Sequence, residues 1–194
     1  MHELEPILRK FVKSVGDLDI PYVIVGGFAI AGWGRYRATT DVDVIMDLKE
    51  KDIPSLVAAL KKAKFSVKAE DLLDALRNKE HVSVFNADTI FHVDLKGVYG
   101  KSEALTLQRR VVIRFQDYKI PISGLEDTIA NKLRFGREQD MEDALAIIIR
   151  NKDKIKKGPL VSLCQKYGVV KELRALERKA RMAERKEIGP DRHR

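Results

Sequence analysis

VGGFAIAGWGRYRATTDVDVIMD, residues Val25 to Asp47, is the stretch from which the fold of this chain can be predicted. A short apolar run, PYVIVGG, leads into it and has the character of a buried strand closed by glycines. FAIAGWG then has the pattern of a brief helix that stops at Gly34, and TTDVDVIMD alternates polar and apolar residues with the period of a strand. The stretch therefore predicts a unit of strand, glycine turn, helix and strand.

Two aspartates one residue apart on the second predicted strand indicate a metal site. Side chains two apart on a strand point to the same side, so Asp41 and Asp43 share one face while Val42 and Val44 enter the core. Neighbouring carboxylates repel each other unless a cation lies between them. IFHVDLK offers a third carboxylate, Asp94, on a strand of the same sheet if the two strands are neighbours. Three carboxylates on adjacent strands predict a site for Mg²⁺, which prefers oxygen ligands and substrate phosphates.

The glycine pair indicates a phosphate site beside the metal site. Gly26 and Gly27 leave the backbone bare where the first strand ends, just before the amide groups of a helix N-terminus. Either feature alone is common, because tight turns use glycine pairs and an Asp-x-Asp strand can lie at a sheet edge without function. Their combination in one unit, with Asp94 on a later strand, is more specific.

The rest of the chain alternates helices and strands up to about residue 123 and is helical beyond it. Helical spacing of apolar residues appears in residues 3–15, DIPSLVAALKKA and DLLDALRNK, whereas FSVKAE, HVSVFN and IFHVDLKG have the character of strands and RRVVIRFQDYKIPIS that of a hairpin about Gln116 and Asp117. LEDTIANKLRFGR, QDMEDALAIIIRNK, LVSLCQKYG and the tail are predicted helices. We therefore expect an α/β (α+β) fold. A mixed sheet flanked by helices forms a catalytic domain in residues 1–123, and a helical region with a basic tail follows in residues 124–194.

The positive charge is concentrated at the C-terminus. Residues Arg150 to Arg194 hold 15 Lys and Arg and 6 Asp and Glu, which leaves 22 and 23 in residues 1–149, so the tail carries the whole excess of the +8 net charge. Such a tail favours a polyanion, tRNA or another nucleic acid. The alternative is a solvated helix with Glu to Lys or Arg pairs three and four residues apart.

Composition excludes several classes of protein. Cys164 is the only cysteine, which excludes an intrachain disulfide and a cysteine-based zinc site and leaves an inert buried thiol as the expectation. No apolar run approaches the roughly 18 residues of a membrane span, and the N-terminus is a charged amphipathic helix pattern. We expect a cytoplasmic protein without a membrane partner.

The opening motif resembles the nucleotidyltransferases of the DNA polymerase beta superfamily. Their Gly-Gly or Gly-Ser turn, short helix and Asp-apolar-Asp strand match Gly26-Gly27-Phe28 and Asp41-Val42-Asp43, with Asp94 as the carboxylate of the later strand. RATTD also matches the Arg-x-Ser/Thr-x-Asp run of one branch, which adds Arg37 and Thr39. Phe28 departs from the pattern, because many members have Gly-Ser there.

A second segment, GLEDTIANKLRFGREQDMEDALAI, resembles the helical part of abortive-infection nucleotidyltransferases of the AbiEii/AbiGii type. Residue by residue, the matches are Lys132, Arg137, Asp140 and Asp143. Lys132 lies among apolar residues, so its ammonium must either reach solvent or meet an anion. A triphosphate is one such anion, and a salt bridge between Lys132 or Arg137 and Asp140 or Asp143 is the alternative.

The resemblance implies transfer of a nucleoside monophosphate from an NTP, ATP included, to an acceptor hydroxyl. It places Asp41, Asp43 and Asp94 on two Mg²⁺ ions, with Mn²⁺ as the other candidate ion, and Asp94 as a candidate general base. It places the triphosphate on Gly26, Gly27, Arg37, Thr39, Lys132 and Asp143.

The acceptor is left open by the sequence. tRNA or a protein fits the abortive-infection branch, in which a cognate toxin or antitoxin protein is a further expected partner. A lincosamide or aminoglycoside fits the antibiotic nucleotidyltransferases, which share GGFA and DVDV-like sequences. A third alternative is an antitoxin or RNA-binding scaffold that keeps the fold without turnover. None of the four histidines has a metal-binding spacing, although His92 shares a strand face with Asp94 and is a candidate for substrate contact.

Overall fold

The structure, a computed structural model, describes residues 4–36 and 38–188, without the side chains of residues 184–188. Contacts divide the chain into two compact units. The first comprises Met1–Gly32 and Tyr36–Gly124, and the second comprises Trp33–Arg35 and Leu125–Arg194. The elements of the first unit are α1 (Glu5–Val15), β1 (Tyr22–Ile24), α2 (Gly26–Gly32), β2 (Asp41–Met46), a 3₁₀ turn (Glu50–Asp52), α3 (Ile53–Lys62), β3 (Phe65–Ser66), α4 (Ala69–Asn78), β4 (His81–Asn86), β5 (His92–Gly97), α5 (Lys101–Gln108), β6 (Val111–Phe115) and β7 (Tyr118–Ile122).

A mixed seven-stranded sheet forms the centre of the first unit, in the order β3-β4-β5-β2-β1-β7-β6. β2 lies parallel to β5 and antiparallel to β1, whereas β1 lies parallel to β7. β4 and β5 are antiparallel, as are β6 and β7, which join in the predicted tight hairpin with Gln116 at φ 52°. The predicted mixed α/β sheet flanked by helices is confirmed.

The two faces of β2 pack against different helices. Val42 and Val44 are fully buried on one face, and further along this face Met46 and Leu95 lie beside Leu72 of α4. On the other face Ile45 packs with Val23 of β1 and Leu107 of α5. The alternation of β2 thus separates an apolar face from a face on which Asp41 and Asp43 precede Ile45.

The second unit is helical, with α6 (Leu125–Phe135), α7 (Glu138–Arg150), α8 (Lys157–Tyr167) and α9 (Val170–Ile188). α6 packs on α7 and α8, and α7 packs on α9. Leu173, Leu176 and Ala180 of α9 are buried at the spacing of one helical face, which explains why the basic tail forms a packed helix.

Some elements differ from the sequence prediction. α2 begins at Gly26, so both glycines lie in the helix and not in a turn before it. α5 was not predicted, because only Thr106 and Leu107 of its eight residues are buried and its apolar face is weak. β3 is limited to Phe65–Ser66 of the longer predicted strand. Among the described residues, no helix combines the length and the apolar character that crossing a membrane requires.

Candidate active site

Neighbouring parallel strands bring the predicted carboxylates of the first unit together. In the register of β2 and β5, Asp41 lies opposite His92 and Asp43 lies opposite Asp94. Opposite residues of a parallel pair point to the same side, so all four polar side chains share one face of the sheet. Each is half-buried, whereas Val42 between the two aspartates is fully buried.

Two hydroxyl groups hold the carboxylates in place. Thr39 Oγ1 donates a hydrogen bond of 2.6 Å to Asp41 Oδ1, and Ser83 Oγ of β4 donates one of 2.6 Å to Asp94 Oδ1. Hydrogen bonds to an ionised carboxylate are strong and fix its orientation. Ser83 was not a sequence candidate, because its position opposite Asp94 depends on the pairing of β4 with β5.

The donor atoms nearest to one another include an imidazole. Among the described residues, one ligand atom each from Asp41, His92 and Asp94 lie within 4.8 Å of one another, a spacing that could hold a metal ion. His92 Nε2 lies 3.5 Å from Asp94 Oδ1. Two carboxylates, each oriented by a hydroxyl group, suit a divalent cation that prefers oxygen ligands. The structure therefore adds His92 to the candidate donors, and the metal-binding roles of Asp41, Asp43 and Asp94 stay predictions.

Gly26 and Gly27 lie directly against polar side chains of β2 and of the segment that precedes it. A Cβ atom at Gly26 would lie 1.7 Å from Asp43 Oδ2, and Gly26 has a φ of +59°. A Cβ atom at Gly27 would lie 2.9 Å from Thr39 Oγ1. A side chain at either position would collide with Asp43 or Thr39. The two glycines therefore leave the space that these side chains occupy.

Phe28, the departure from the family pattern, is a core residue. It is 1% exposed, and its ring packs edge-to-face on Phe115 at 5.2 Å. The side chain therefore packs in the interior. Arg37, predicted to bind the triphosphate, lies outside the described residues.

In the second unit, Lys132 lies in a buried network of ion pairs. Its Nζ is 2.5 Å from Asp140 Oδ1 and 3.4 Å from Asp143 Oδ2. Arg137 donates to Asp140 Oδ2 at 2.7 Å, and Arg35 lies 3.3 Å from Asp143 Oδ1. Both aspartates are buried, which makes the network a link between α6 and α7. These contacts are those of the salt-bridge alternative, and nucleotide binding by Lys132 and Asp143 stays a prediction.

The ionisation of Asp140 follows from its partners. Burial acts to raise the pKa of the Asp140 carboxyl, but hydrogen bonds from Arg137 and Lys132 outweigh burial and lower this pKa below its usual value. Asp140 is therefore ionised at neutral pH.

Comparison with solved structures identifies the fold. A crystal structure of ANT(2″)-Ia in complex with adenylyl-2″-tobramycin matches with a TM-score of 0.56 and 14% identity, over 84% of this chain and 95% of that chain. The chain has the nucleotidyltransferase fold. An antigenic nucleotidyltransferase-like protein from Paracoccidioides brasiliensis matches with a TM-score of 0.51 and 18% identity, over 90% of this chain and 92% of that chain. A solution structure of ANT(2″)-Ia gives 0.54 at 12% identity, over 91% and 96%.

The sequence comparisons add nothing to this result. No protein-family model matches the chain, and no curated protein matches it by sequence. At identities of 12 to 18%, a likeness to solved structures shows the fold alone. The abortive-infection branch therefore stays a prediction from the sequence.

Proposed function

We propose that the chain is a nucleotidyltransferase that depends on a divalent metal ion. It transfers a nucleoside monophosphate from an NTP to an acceptor hydroxyl and releases pyrophosphate. The observation that carries this proposal is the register of β2 and β5, which places Asp43 opposite Asp94 and Asp41 opposite His92 on one face of the sheet. The nucleotidyltransferase fold supports the same conclusion.

Asp94 is the proposed base of the reaction. The acceptor oxygen attacks the α-phosphorus of the NTP, the bond from that phosphorus to the bridging oxygen of the β-phosphate breaks, and pyrophosphate leaves with the electron pair. The hydroxyl proton passes to the Asp94 carboxylate. The 2.6 Å hydrogen bond from Ser83 orients Asp94 for this role.

Asp41, Asp43 and Asp94 are the proposed metal ligands. Mg²⁺ ions bound there would stabilise the charge on the attacking and leaving oxygens. Thr39 contributes by fixing the Asp41 carboxylate through its 2.6 Å hydrogen bond, so Thr39 acts here as a positioning residue.

The proposed phosphate site uses the bare backbone of Gly26 and Gly27, with Arg37 as a further candidate. Transfer at phosphorus depends mostly on positioning and electrostatics, which backbone amides and cations provide. Lys132 and Asp143 are weaker candidates, because each already has an oppositely charged partner in the second unit.

A nucleic acid, with tRNA as the first candidate, is the proposed acceptor. On α9 five cations are exposed, and in the part of the chain that the structure describes none of them forms an ion pair with a carboxylate: Lys171, Arg174, Arg178, Lys179 and Arg181. The Glu to Lys or Arg pairs of the solvated-helix alternative are absent among these side chains. Exposed cations on one helix favour a polyanion. A role in a toxin–antitoxin pair belongs to the same proposal.

An antibiotic is the second candidate acceptor. ANT(2″)-Ia, whose fold this chain shares, was crystallised with adenylyl-2″-tobramycin. A polycationic drug requires a strongly acidic surface, and the net charge of −1 in residues 1–149 argues against one.

Incubation with labelled ATP, CTP, GTP or UTP, Mg²⁺ and total tRNA tests the proposal. We expect label on RNA that disappears when Mg²⁺ is chelated and in Asp43→Asn. Parallel reactions with tobramycin, lincomycin and total protein test the other acceptors. Label on none of them with either Mg²⁺ or Mn²⁺, together with no binding of any NTP that depends on either ion, would overturn the enzyme proposal in favour of a scaffold.

A further inference from the structure

An imidazole faces the carboxylates of the candidate active site. His92 begins β5, its side chain is 22% exposed, and its Nε2 lies 3.5 Å from Asp94 Oδ1. This distance is too long for a good hydrogen bond. It suits two ligands of one ion, because octahedral ligands about 2.1 Å from the metal lie about 3.0 Å apart when adjacent and about 4.2 Å apart when opposite. The third donor, Asp41, completes a cluster in which all donor atoms lie within 4.8 Å.

The ring of His92 is held in place from the side. Phe85 lies opposite His92 in the antiparallel pair of β4 and β5, and the two rings stack with centroids 5.0 Å apart and planes 29° apart. Phe85 is 52% exposed, so its ring covers the imidazole and is not part of the core. Stacking of this kind restricts the orientation of the imidazole ring.

We propose that His92 is a metal ligand and that its imidazole makes the site prefer a first-row transition-metal dication, such as Mn²⁺ or Co²⁺, to Mg²⁺. Carboxylates and water suit both Mg²⁺ and Mn²⁺, whereas an imidazole nitrogen adds affinity for first-row transition dications, least for Mn²⁺ and more for Co²⁺. In the absence of the imidazole a water molecule can take its place on Mg²⁺ at little cost, because Mg²⁺ keeps several waters. The proposal rests on the proposed function only for the position of the metal site, and it requires neither nucleotide transfer nor a particular acceptor.

The competing explanation assigns His92 a structural role. Cross-strand aromatic pairs stabilise hairpins, and the stack on Phe85 would then serve the pairing of β4 with β5 alone. The two explanations differ in one measurable property, since a structural residue changes stability without changing the choice of metal.

Metal affinity of the full chain without nucleotide gives the first test. Binding of Mn²⁺ is followed by the paramagnetic resonance signal of the free ion, and Mg²⁺ is measured by competition. We expect Mn²⁺ to bind at least about tenfold more tightly than Mg²⁺. His92→Asn should weaken Mn²⁺ at least about tenfold and Mg²⁺ less than about threefold. His81→Asn is the matched control, because His81 is exposed at the start of β4 and lies outside the cluster, and it should change neither affinity.

A spectroscopic test uses the wild-type chain alone. In pulsed paramagnetic resonance of bound Mn²⁺, a directly bonded nitrogen produces ¹⁴N modulation, which we expect from Mn²⁺ bound to the wild type. Absence of this modulation from bound Mn²⁺, or equal weakening of Mn²⁺ and Mg²⁺ by His92→Asn, overturns the role of His92 while the metal site and the proposed function stand. Failure of every divalent ion to bind overturns both. Nitrogen-ligated Mn²⁺ without transfer to any acceptor overturns the proposed function alone.

Discussion

Gly26 lies so close to Asp43 that no side chain fits between them. A Cβ atom at Gly26 would stand 1.7 Å from Asp43 Oδ2 and 2.7 Å from its carboxyl carbon. The glycine of the motif is thus needed for the position of the second aspartate as well as for the conformation of the backbone, which has a φ of +59° at this residue.

Gly26→Ala should abolish transfer by moving Asp43. The methyl group cannot occupy its position unless the carboxylate rotates away, and the left-handed backbone adds strain of about 1 kcal/mol. We expect at least about a hundredfold loss of transfer, since a misplacement of about 1 Å at a reacting centre has this effect.

Gly158→Ala is the matched control for this substitution. Gly158 lies in α8, and a Cβ atom there would meet nothing within 4 Å. We expect unchanged transfer and little change in stability, because Gly158 lies in the first turn of α8 directly before Pro159, which offsets the helix propensity of alanine. Full activity of Gly26→Ala would disprove the role given to the contact between Gly26 and Asp43.

Asp94→Asn should remove metal binding and nucleotide transfer without destabilising the fold. Asparagine keeps an oxygen for the hydrogen bond from Ser83, and it removes a negative charge opposite Asp43. Without metal we therefore expect thermal stability equal to or above that of the wild type.

The same variant should lose the response to divalent metal. A metal ion present at about one hundred times its Kd stabilises the wild type by about 2.7 kcal/mol, and this stabilisation should be absent from the variant. The transfer rate of the variant should be at least about a hundredfold lower. Asp74→Asn, at an exposed position of α4, should keep both. A metal-dependent shift of the melting temperature that survives in Asp94→Asn would place the ion elsewhere.

The sequence allowed prediction of those parts of the site that depend on local pattern. The alternation of Asp41 and Asp43 with buried valines is a property of one strand, and it correctly predicts a polar and an apolar face of β2. A site of three carboxylates required β2 and the strand of Asp94 to be neighbours, and in the structure they are paired.

Register and helix packing could not be predicted in this way. The pairs of Asp41 with His92 and of Ser83 with Asp94 depend on how distant strands align, and no local pattern specifies that alignment. For Lys132, the apolar neighbours indicated that its ammonium either reaches solvent or meets an anion, and its pairing with Asp140 depends on the packing of α6 on α7.

Cys164 should be unreactive in the folded chain. Burial raises the pKa of its thiol to about 11, and the nearby carboxylates of Glu177 and Glu172 act in the same direction. Since the thiolate is the reactive form, we expect an aromatic disulfide reagent at pH 8 to label the folded chain very slowly and the urea-unfolded chain within seconds. Rapid stoichiometric labelling of the folded chain would contradict the burial of α8 at this residue.

Substitution of two cations on α9 should weaken binding of RNA and lower its dependence on salt. Arg174 and Arg178 are exposed, so Arg174→Ala with Arg178→Ala removes two charges without touching the buried face of the helix. If both contact phosphates of single-stranded RNA, the slope of log K against log salt should fall by about 1.4.

Lys61→Ala with Lys62→Ala, on the exposed side of α3, controls for net charge and should leave the slope near that of the wild type. Equal slopes in both double variants would argue against α9 as the binding surface.

The pair of Lys132 and Asp140 should give the second unit a characteristic dependence on pH. The pKa of Asp140 is lower in the folded chain than the value of about 3.9 for an unfolded aspartate. The pair therefore stabilises the fold above that value, and this stabilisation is lost as the pH falls through the folded pKa. At pH 7 we expect Asp140→Asn to lower the free energy of unfolding by about 3 kcal/mol, near the low end for a broken buried pair, because Asp143 remains 3.4 Å from Nζ.

Urea unfolding of the wild type and Asp140→Asn between pH 3 and 8 measures this linkage. The stability of the variant should vary less with pH below about 4.5, since its residue 140 no longer takes up a proton. Asp153→Asn, at an exposed position, should follow the wild type within about 0.5 kcal/mol. The alternative is that Lys132 binds the triphosphate and that its pair with Asp140 contributes no stability. In that case the unfolding curves of Asp140→Asn and the wild type will coincide, and Lys132→Met will raise the KM for NTP.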